Sequence, residues 1–343
     1  MTQALAIKYR PKTWEDVVEQ DAIKVILSQQ IKTKEFKHAY LFCGGAGTGK
    51  TTCARIFANE INGGHGVPIE MDAASQNGVD DVREIIQQAR TQPLDSEYKV
   101  FILDEVHSFS NSAWQAMLKL IEEPPAKLVF IFCTTDPQKI PKTILSRVQR
   151  YDFQRISHDG IIDRLHYILQ EEGFGLHAIV TDEALQYIAK IADGGMRDAI
   201  TLLDKCLSYS SELTVENVVN ALGTIDYEVM FNLTFSILDG DIQKVIEIIE
   251  AAHSDGKDLK QFIKMYLQFI LDVNKYLIGC KWKYINIPNT SETVRLMTKF
   301  NDNYVLLDLL DMLVKLNVDI KYSSTARYDI ESALVVFIYE RNK

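Results

Sequence analysis

The sequence is poor in the features that mark several classes of protein. It has 5 cysteines in 343 residues, and no two of them (Cys43, Cys53, Cys133, Cys206, Cys280) are closer than ten residues. That spacing excludes CxxC and tetrathiolate zinc patterns, and an odd count fits a reducing cytosolic chain. No uncharged apolar run approaches the roughly 18 residues a membrane span needs. The opening residues, MTQALAIKYRPKTW, have no long apolar core, so no secretion signal is expected. Basic excess is also missing: 37 Lys and Arg against 47 Asp and Glu give a net charge of -10. A chain this acidic does not coat nucleic acid with its whole surface, although a local patch or a few helix N-termini could still hold it. Proline is scarce at 8 residues, and neither repeats nor low-complexity segments occur.

What remains is ordinary globular composition, 47% apolar and 24% charged. At this length about three quarters of the unfolded surface is buried on folding, so neither disulfides nor metals are needed for a core. Short apolar runs at His38–Cys43, Val67–Met71, Lys99–Leu103, Leu128–Cys133 and Gln149–Phe153 alternate with helical patterns at Thr51–Asn62, Asp80–Arg90 and Asn111–Glu122. Asn111 or Ser112 is the expected N-cap of the last, and Trp114 falls on its apolar face. This alternation predicts an α/β domain with a parallel five-stranded sheet over residues 1–155. From Asp159 the periodicity is helical, broken by Gly173, Gly175 and Gly194-Gly195, which predicts a helical domain over 156–223. Val245, Ile246, Ile248 and Ile249, then Leu306, Leu309, Leu310, Leu313 and Leu316, form apolar stripes and predict a third, all-helical domain over 224–343.

The chemistry starts at Gly44-Gly45-Ala46-Gly47-Thr48-Gly49-Lys50-Thr51, which fits GxxxxGK[ST] at every fixed position, between a predicted strand and a predicted helix. Glycines let backbone amides converge into an anion nest, and the helix N-terminus adds unpaired N–H groups. Lys50 is expected on the β- and γ-phosphates of a nucleoside triphosphate, and Thr51 on Mg²⁺. About 55 residues on, Val100–Leu103 runs into Asp104-Glu105. Asp104 is the expected second Mg²⁺ ligand, and Glu105 the carboxylate that polarises attacking water. His107 and the other scattered histidines carry no metal pattern.

Further motifs carry a family resemblance. Lys8-Tyr9-Arg10-Pro11 with Trp14–Gln20, His38–Phe42, Glu70–Ser75, Asp104-Glu105-Val106-His107, Glu122-Glu123-Pro124-Pro125 and Thr134–Arg147 together resemble the AAA+ clamp-loader ATPases of the bacterial DNA polymerase III gamma/tau type. These motifs span about residues 5–205. Lys321–Ser324 with Arg327 and Glu331 faintly resembles the end of that family's oligomerisation domain.

The resemblance implies a helical lid after the ATPase domain and a helical collar that holds subunits in an open ring of five. It implies ATP and Mg²⁺ as cofactors, with Tyr9, Arg10 and Pro11 against the adenine and Gly44 to Thr52 around the phosphates. Thr135 matches the first sensor, with Thr134 a close second choice, and Arg197 matches the second sensor on the lid. Arg147, in Ser146-Arg147, matches the arginine finger that completes a neighbour's site. Val148 stands where the family has cysteine. The four-cysteine zinc module of the bacterial family is replaced by Ile61–Pro68, so no zinc is expected. The chain then looks like a short gamma-type form, with a divergent or phage-encoded origin open.

Implied partners are delta-like and delta-prime-like subunits, copies of the chain itself, a sliding clamp and primer–template DNA, in the cytoplasm at replication sites. Arg83 is the candidate DNA contact. The basic run Lys139, Lys142, Arg147, Arg150 and Arg155 is divided between subunit contacts and solvent. Two alternatives remain: a related AAA+ DNA-remodelling motor or helicase loader, and a non-hydrolysing scaffold subunit of the same loader.

Overall fold

In a computed structural model, residues 3–91, 95–174, 179–222, 227–256, 258–287, 291–300 and 303–341 are described. Gly175 and the expected boundary at 223/224 lie outside them. The chain divides into two units, one of residues 1–178 and 188–208, the other of residues 179–187 and 209–343.

In the first unit, α1 (Leu5–Lys8) and α2 (Asp21–Thr33) precede β1 (Ala39–Cys43), α3 (Lys50–Ile61), β2 (Ile69–Asp72), α4 (Val79–Ala89) and β3 (Lys99–Asp104). Then follow α5 (Asn111–Glu122), β4 (Leu128–Thr134), α6 (Lys142–Leu145), β5 (Gln149–Asp152) and α7 (His158–Glu171). The helices α8 (Asp182–Ile191) and α9 (Met196–Tyr209) come next; α8 enters this unit only from Ile188, and α9 belongs to it almost to its end. The five strands form one sheet in the order β2-β3-β4-β1-β5, and every pairing is parallel.

Strands buried on both faces need apolar side chains at every position, and β1 and β4 are buried from end to end. Successive residues serve opposite layers. Ala39, Leu41 and Cys43 pack with α4 and α5 residues such as Val82, Trp114 and Met117. Tyr40 and Phe42 pack with Leu27 of α2 and Phe57 of α3 on the other face. Trp114 is 2% exposed, as its helical face requires. The α5 helix is capped one residue before Asn111 and two before Ser112, the expected positions: the Ser110 hydroxyl accepts from the Ala113 N–H at 3.2 Å. Ser110 has the extended backbone of an N-cap, while Asn111 is already helical.

The second unit contains α10 (Val215–Leu222), α11 (Tyr227–Asp239), α12 (Ile242–Ser254), α13 (Leu259–Leu277), α14 (Ser291–Met297), α15 (Asn303–Asp319) and α16 (Ala326–Arg341). Residues 179–187 join it through a parallel bridge between Val180 and Leu213. One core links α11 to α16, with Phe231, Phe262, Tyr266 and Phe269 among its largest buried side chains. Val245 and Ile249 of the first predicted stripe are buried there, as are Leu306, Leu309, Leu313 and Leu316 of the second. Arg327 of α16 pairs with Glu331 one turn on, at 2.7 Å.

Candidate nucleotide-binding and hydrolysis site

Three strand ends meet at one edge of the sheet, where β1 enters the glycine-rich loop, β3 ends at Asp104 and β4 ends at Thr134. Because β4 lies between β1 and β3, its end is inserted between the loop and the carboxylate strand. The Gly44 N–H donates to the Thr134 carbonyl at 3.2 Å, which fixes the start of the loop to that strand.

The loop closes on itself through Thr48, whose hydroxyl donates to the Gly45 carbonyl at 2.9 Å. Lys50, 5% exposed, sets its ammonium on the Gly44 and Gly45 carbonyls at 2.9 and 2.7 Å. Burial pulls its pKa below the ordinary lysine range. The neighbouring thiols stay protonated, since burial pushes Cys43 up to about 11 and Cys53 up to about 12. Gly47 has φ +69, and a Cβ there would stand 2.9 Å from the Gly195 Cα. Glycine is therefore required in the loop, where its backbone lies against the turn before α9. The Met196 N–H, at the start of α9, donates to the Gly47 carbonyl at 3.0 Å and joins the two.

The Thr51 hydroxyl donates to Asp104 Oδ2 at 2.6 Å, and the Glu105 N–H donates to Asp104 Oδ1 at 2.9 Å. A hydroxyl beside a carboxylate at a helix N-terminus is a hard-oxygen set that suits Mg²⁺. The first-turn amides of α3 have no intrahelical partner and suit phosphate. The donors therefore fit both ATP and its metal. Among the described residues, no group of three or more His, Cys, Asp and Glu side chains is arranged to hold a metal ion.

Glu105 adopts a left-handed backbone conformation, φ 49 and ψ 39, that is uncommon for a non-glycine residue. Its Oε2 accepts from the Thr135 hydroxyl at 3.0 Å and lies 3.2 Å from His107 Nδ1. Thr134, fully buried, instead receives the Asp136 N–H at 3.1 Å. The structure thus brings Thr51, Asp104, Glu105 and Thr135 together, and gives Thr135 rather than Thr134 the contact with Glu105.

A cleft beside the loop is lined by Tyr9, Arg10, Pro11, Gly47 to Thr52 and Arg197. Gly44, Gly45 and Ala46 do not line it, and the first two accept from Lys50 through their carbonyls. Arg147 does not line this cleft. It follows α6, half-exposed, paired with Glu122 at 2.7 Å and donating to the Thr143 carbonyl at 2.7 Å. Arg83, on α4, pairs with Asp80 at 2.6 Å, and both side chains are largely exposed. Of the basic run, Lys139 pairs with Asp136, Arg150 with Asp152 and Arg155 with Asp193.

Sequence reasoning missed three residues around this site. His107 stands against Glu105 because a single 3-10 turn brings it back over the strand end. Arg164 lines the cleft, and Glu172 binds the Tyr9 hydroxyl at 2.6 Å. No local pattern marks either of them, since their partners lie more than 150 positions away.

A parallel sheet in this order, with a phosphate loop after β1, a carboxylate pair after β3 and a helical segment closing on the loop, defines an AAA+ P-loop ATPase domain followed by helical lid and collar segments. Residues 67–157 match the model for the DNA polymerase III delta subunit. Residues 160–212 match that for the ATPase lid domain of the DNA polymerase III clamp-loader subunit, and residues 213–342 that for domain III of the gamma and tau subunits. The tau subunit of DNA polymerase III from Bacillus subtilis (strain 168) is 36% identical, over 97% of this chain and 62% of that protein. The gamma subunit of DNA polymerase III from Buchnera aphidicola subsp. Acyrthosiphon pisum is 29% identical, over 97% of this chain and 98% of its own length. The chain therefore belongs to the clamp-loader ATPases of the DNA polymerase III gamma/tau family, and it spans about three fifths of the Bacillus subtilis relative.

Among solved structures, the Thermotoga maritima RuvB Holliday junction branch migration motor superposes with a TM-score of 0.51 at 18% identity, over 73% of this chain and 86% of that one. That likeness is one of fold.

Proposed function

We propose that the chain is an ATP-driven motor subunit of a sliding-clamp loader, binding ATP to open the clamp and hydrolysing it on primed DNA to release the clamp closed. The observation that carries hydrolysis is the linked set Thr51–Asp104–Glu105–Thr135, in which every side chain is held by another. Lys50 offsets charge on the terminal phosphates, and the α3 amides hold them. Thr51 and Asp104 would hold Mg²⁺, which neutralises charge on the β- and γ-phosphates when bound. Glu105 polarises the attacking water, and Thr135 orients Glu105. Arg197, on the cleft wall, senses the γ-phosphate from the lid.

Arg147 acts in trans. It lies outside its own cleft and would exchange its contact with Glu122 for the phosphates bound by the adjacent subunit. A lone subunit is then a poor enzyme. ATP-driven closure of an open five-membered ring, built from copies of this chain with delta-like and delta-prime-like subunits, grips clamp and primer–template DNA. Arg83 contacts DNA phosphates after parting from Asp80. No helix among the described residues is long and apolar enough to cross a membrane, and the work belongs in the cytoplasm at replication sites.

The test is steady-state ATP hydrolysis by the reconstituted assembly, with and without clamp and primed DNA, beside the isolated chain. Stimulation that needs both clamp and primed DNA supports the loader. Rapid hydrolysis on branched or single-stranded DNA, indifferent to the clamp, would overturn it in favour of a remodelling motor. No ATP turnover under any condition would leave a scaffold subunit.

A further inference from the structure

The residues against the cleft arrive from two differently anchored stretches of chain. Downstream of Pro11 the chain is fixed mainly to the sheet domain: Trp14 and Val17 are buried with α2 and α3, and the Trp14 indole N–H donates to Glu60 of α3 at 2.7 Å. Glu19, further on, also accepts from the Ser157 N–H and hydroxyl at the N-cap of α7. Gln20 is tied to Gln154, just past β5, in both directions, at 2.7 and 3.2 Å. Upstream of Arg10 the anchors are on the lid. The Leu5 N–H donates to Asp204 of α9 at 3.0 Å. The Tyr9 hydroxyl and the Lys8 ammonium both donate to one oxygen of Glu172, just past the end of α7, each at 2.6 Å. Arg164 of α7 donates to the Tyr9 carbonyl at 3.1 Å, and its guanidinium lies 4.8 Å from the centre of the Tyr167 ring, which meets Tyr9 edge-on. Arg10 and Pro11, on the cleft wall, form the span between the two anchorages.

We infer that Glu172 is a positioning residue for nucleotide recognition: by holding Tyr9 and Lys8 it bolts the base-facing segment to the lid, so that the lid's position and the fit of the base are set together. This rests on the ATP-site reading above and gives it a specificity element. Proline at position 11 removes one soft dihedral from the span, so displacement of the lid anchor is passed on to the cleft wall rather than absorbed. A carboxylate with two donors on one oxygen is a charge-assisted junction, stronger than neutral hydrogen bonds. The hydrogen bonds from Lys8 and Tyr9 hold the Glu172 carboxyl below the ordinary carboxylate range, so it is ionised at neutral pH. Burial, together with the bond to Glu172, pushes the Tyr9 hydroxyl up, so it keeps the proton it donates.

The test uses the full chain and isothermal titration calorimetry with ATP and with GTP, beside thermal unfolding without nucleotide. Glu172→Gln and Tyr9→Phe should each weaken ATP binding roughly tenfold, the scale of losing one charge-assisted bond, and narrow the preference for ATP over GTP. The double variant should lose less than the sum of the two singles, because both weaken the same junction, in which Lys8 keeps its bond to Glu172 when Tyr9 alone is changed. Tyr9→Phe keeps the ring and its packing, so it remains informative if Glu172→Gln folds poorly. A merely structural role would lower the unfolding midpoint and leave base preference unmoved. Unchanged ATP affinity and base preference in both variants would overturn the inference while the ATP site stands. An unsubstituted chain that binds no ATP would overturn the ATP-site reading, and this inference with it.

Discussion

The two units bury polar groups for opposite purposes. In the second, buried polar side chains find partners that serve the packing. Thr234 and Tyr266 share a hydrogen bond at 2.9 Å in the core. Asp272, 1% exposed, accepts from Lys275 at 2.8 Å, Gln268 at 3.2 Å and the Asn286 N–H at 2.9 Å, which ties the segment after α13 back onto the helix. In the first unit one edge of the sheet holds a buried ammonium resting on two carbonyls, a left-handed glutamate, and Gly47, where a Cβ would run into the backbone of Gly195. Such features persist only where the surroundings impose them. Polar burial in the second unit serves stability, whereas at the nucleotide edge of the first it costs stability and serves chemistry.

That contrast can be broken most severely at Arg147. Arg147→Ala should cut turnover by the assembled complex roughly 10³–10⁵-fold, the range for arginine fingers. ATP affinity of the isolated chain should stay unchanged, because Arg147 lies outside its own cleft. A matching loss of affinity in the isolated chain would make Arg147 a residue of its own site. The next largest effect is expected at Glu105. Glu105→Gln keeps the shape and still accepts from Thr135, but it cannot polarise water, so kcat should fall about 10²–10⁴-fold. Calorimetry should show ATP binding retained. Loss of binding instead would move Glu105 from chemistry to metal or phosphate retention.

The legibility of the two units differs for the same physical reason. Strands buried on both faces read as continuous apolar runs, so all five lay within about two residues of their observed ends: Lys99–Leu103 became Lys99–Asp104, and Val67–Met71 became Ile69–Asp72. Strand order is set by crossovers between distant segments, and no period in the sequence reports that β4 lies between β1 and β3. The phosphate loop and Asp104-Glu105 were legible because their chemistry needs fixed neighbours in sequence. Glu172 and Arg164 were not, because they meet Tyr9 only after the lid folds back. His107 was passed over because nothing in its spacing shows that a 3-10 turn returns it to Glu105.

A smaller effect should mark the second unit. Asp272→Ala takes away the acceptor of Gln268, of the Asn286 N–H and of Lys275, of which Lys275 keeps the Tyr284 carbonyl, and this should cost about 1–3 kcal/mol. In urea unfolding the transition of that unit should move to lower denaturant, while ATP affinity measured before the transition stays as in the unsubstituted chain. A change in affinity would mean that the polar knot of the second unit also serves the nucleotide site.

The smallest effect, and the one that most sharpens the contrast, is expected at Lys50. Burial lowers its pKa in the folded state, so the unfolded chain binds that proton more tightly than the folded one. Stability from this group is therefore greatest above the ordinary lysine pKa and is lost as pH falls through the lower folded value. At neutral pH the charge is a cost that the Gly44 and Gly45 carbonyls only partly offset. Lys50→Met removes the charge and keeps an unbranched, flexible side chain. Without nucleotide, its thermal midpoint at pH 7 should equal or slightly exceed that of the unsubstituted chain, and the difference should shrink as pH approaches the lysine range. The rise in midpoint that ATP produces in the unsubstituted chain should vanish. If Lys50→Met instead lost more than about 1 kcal/mol at pH 7, the scale of a net stabilising hydrogen bond, the ammonium would be a structural staple of the loop, and the first unit would bury its polar groups on the same terms as the second.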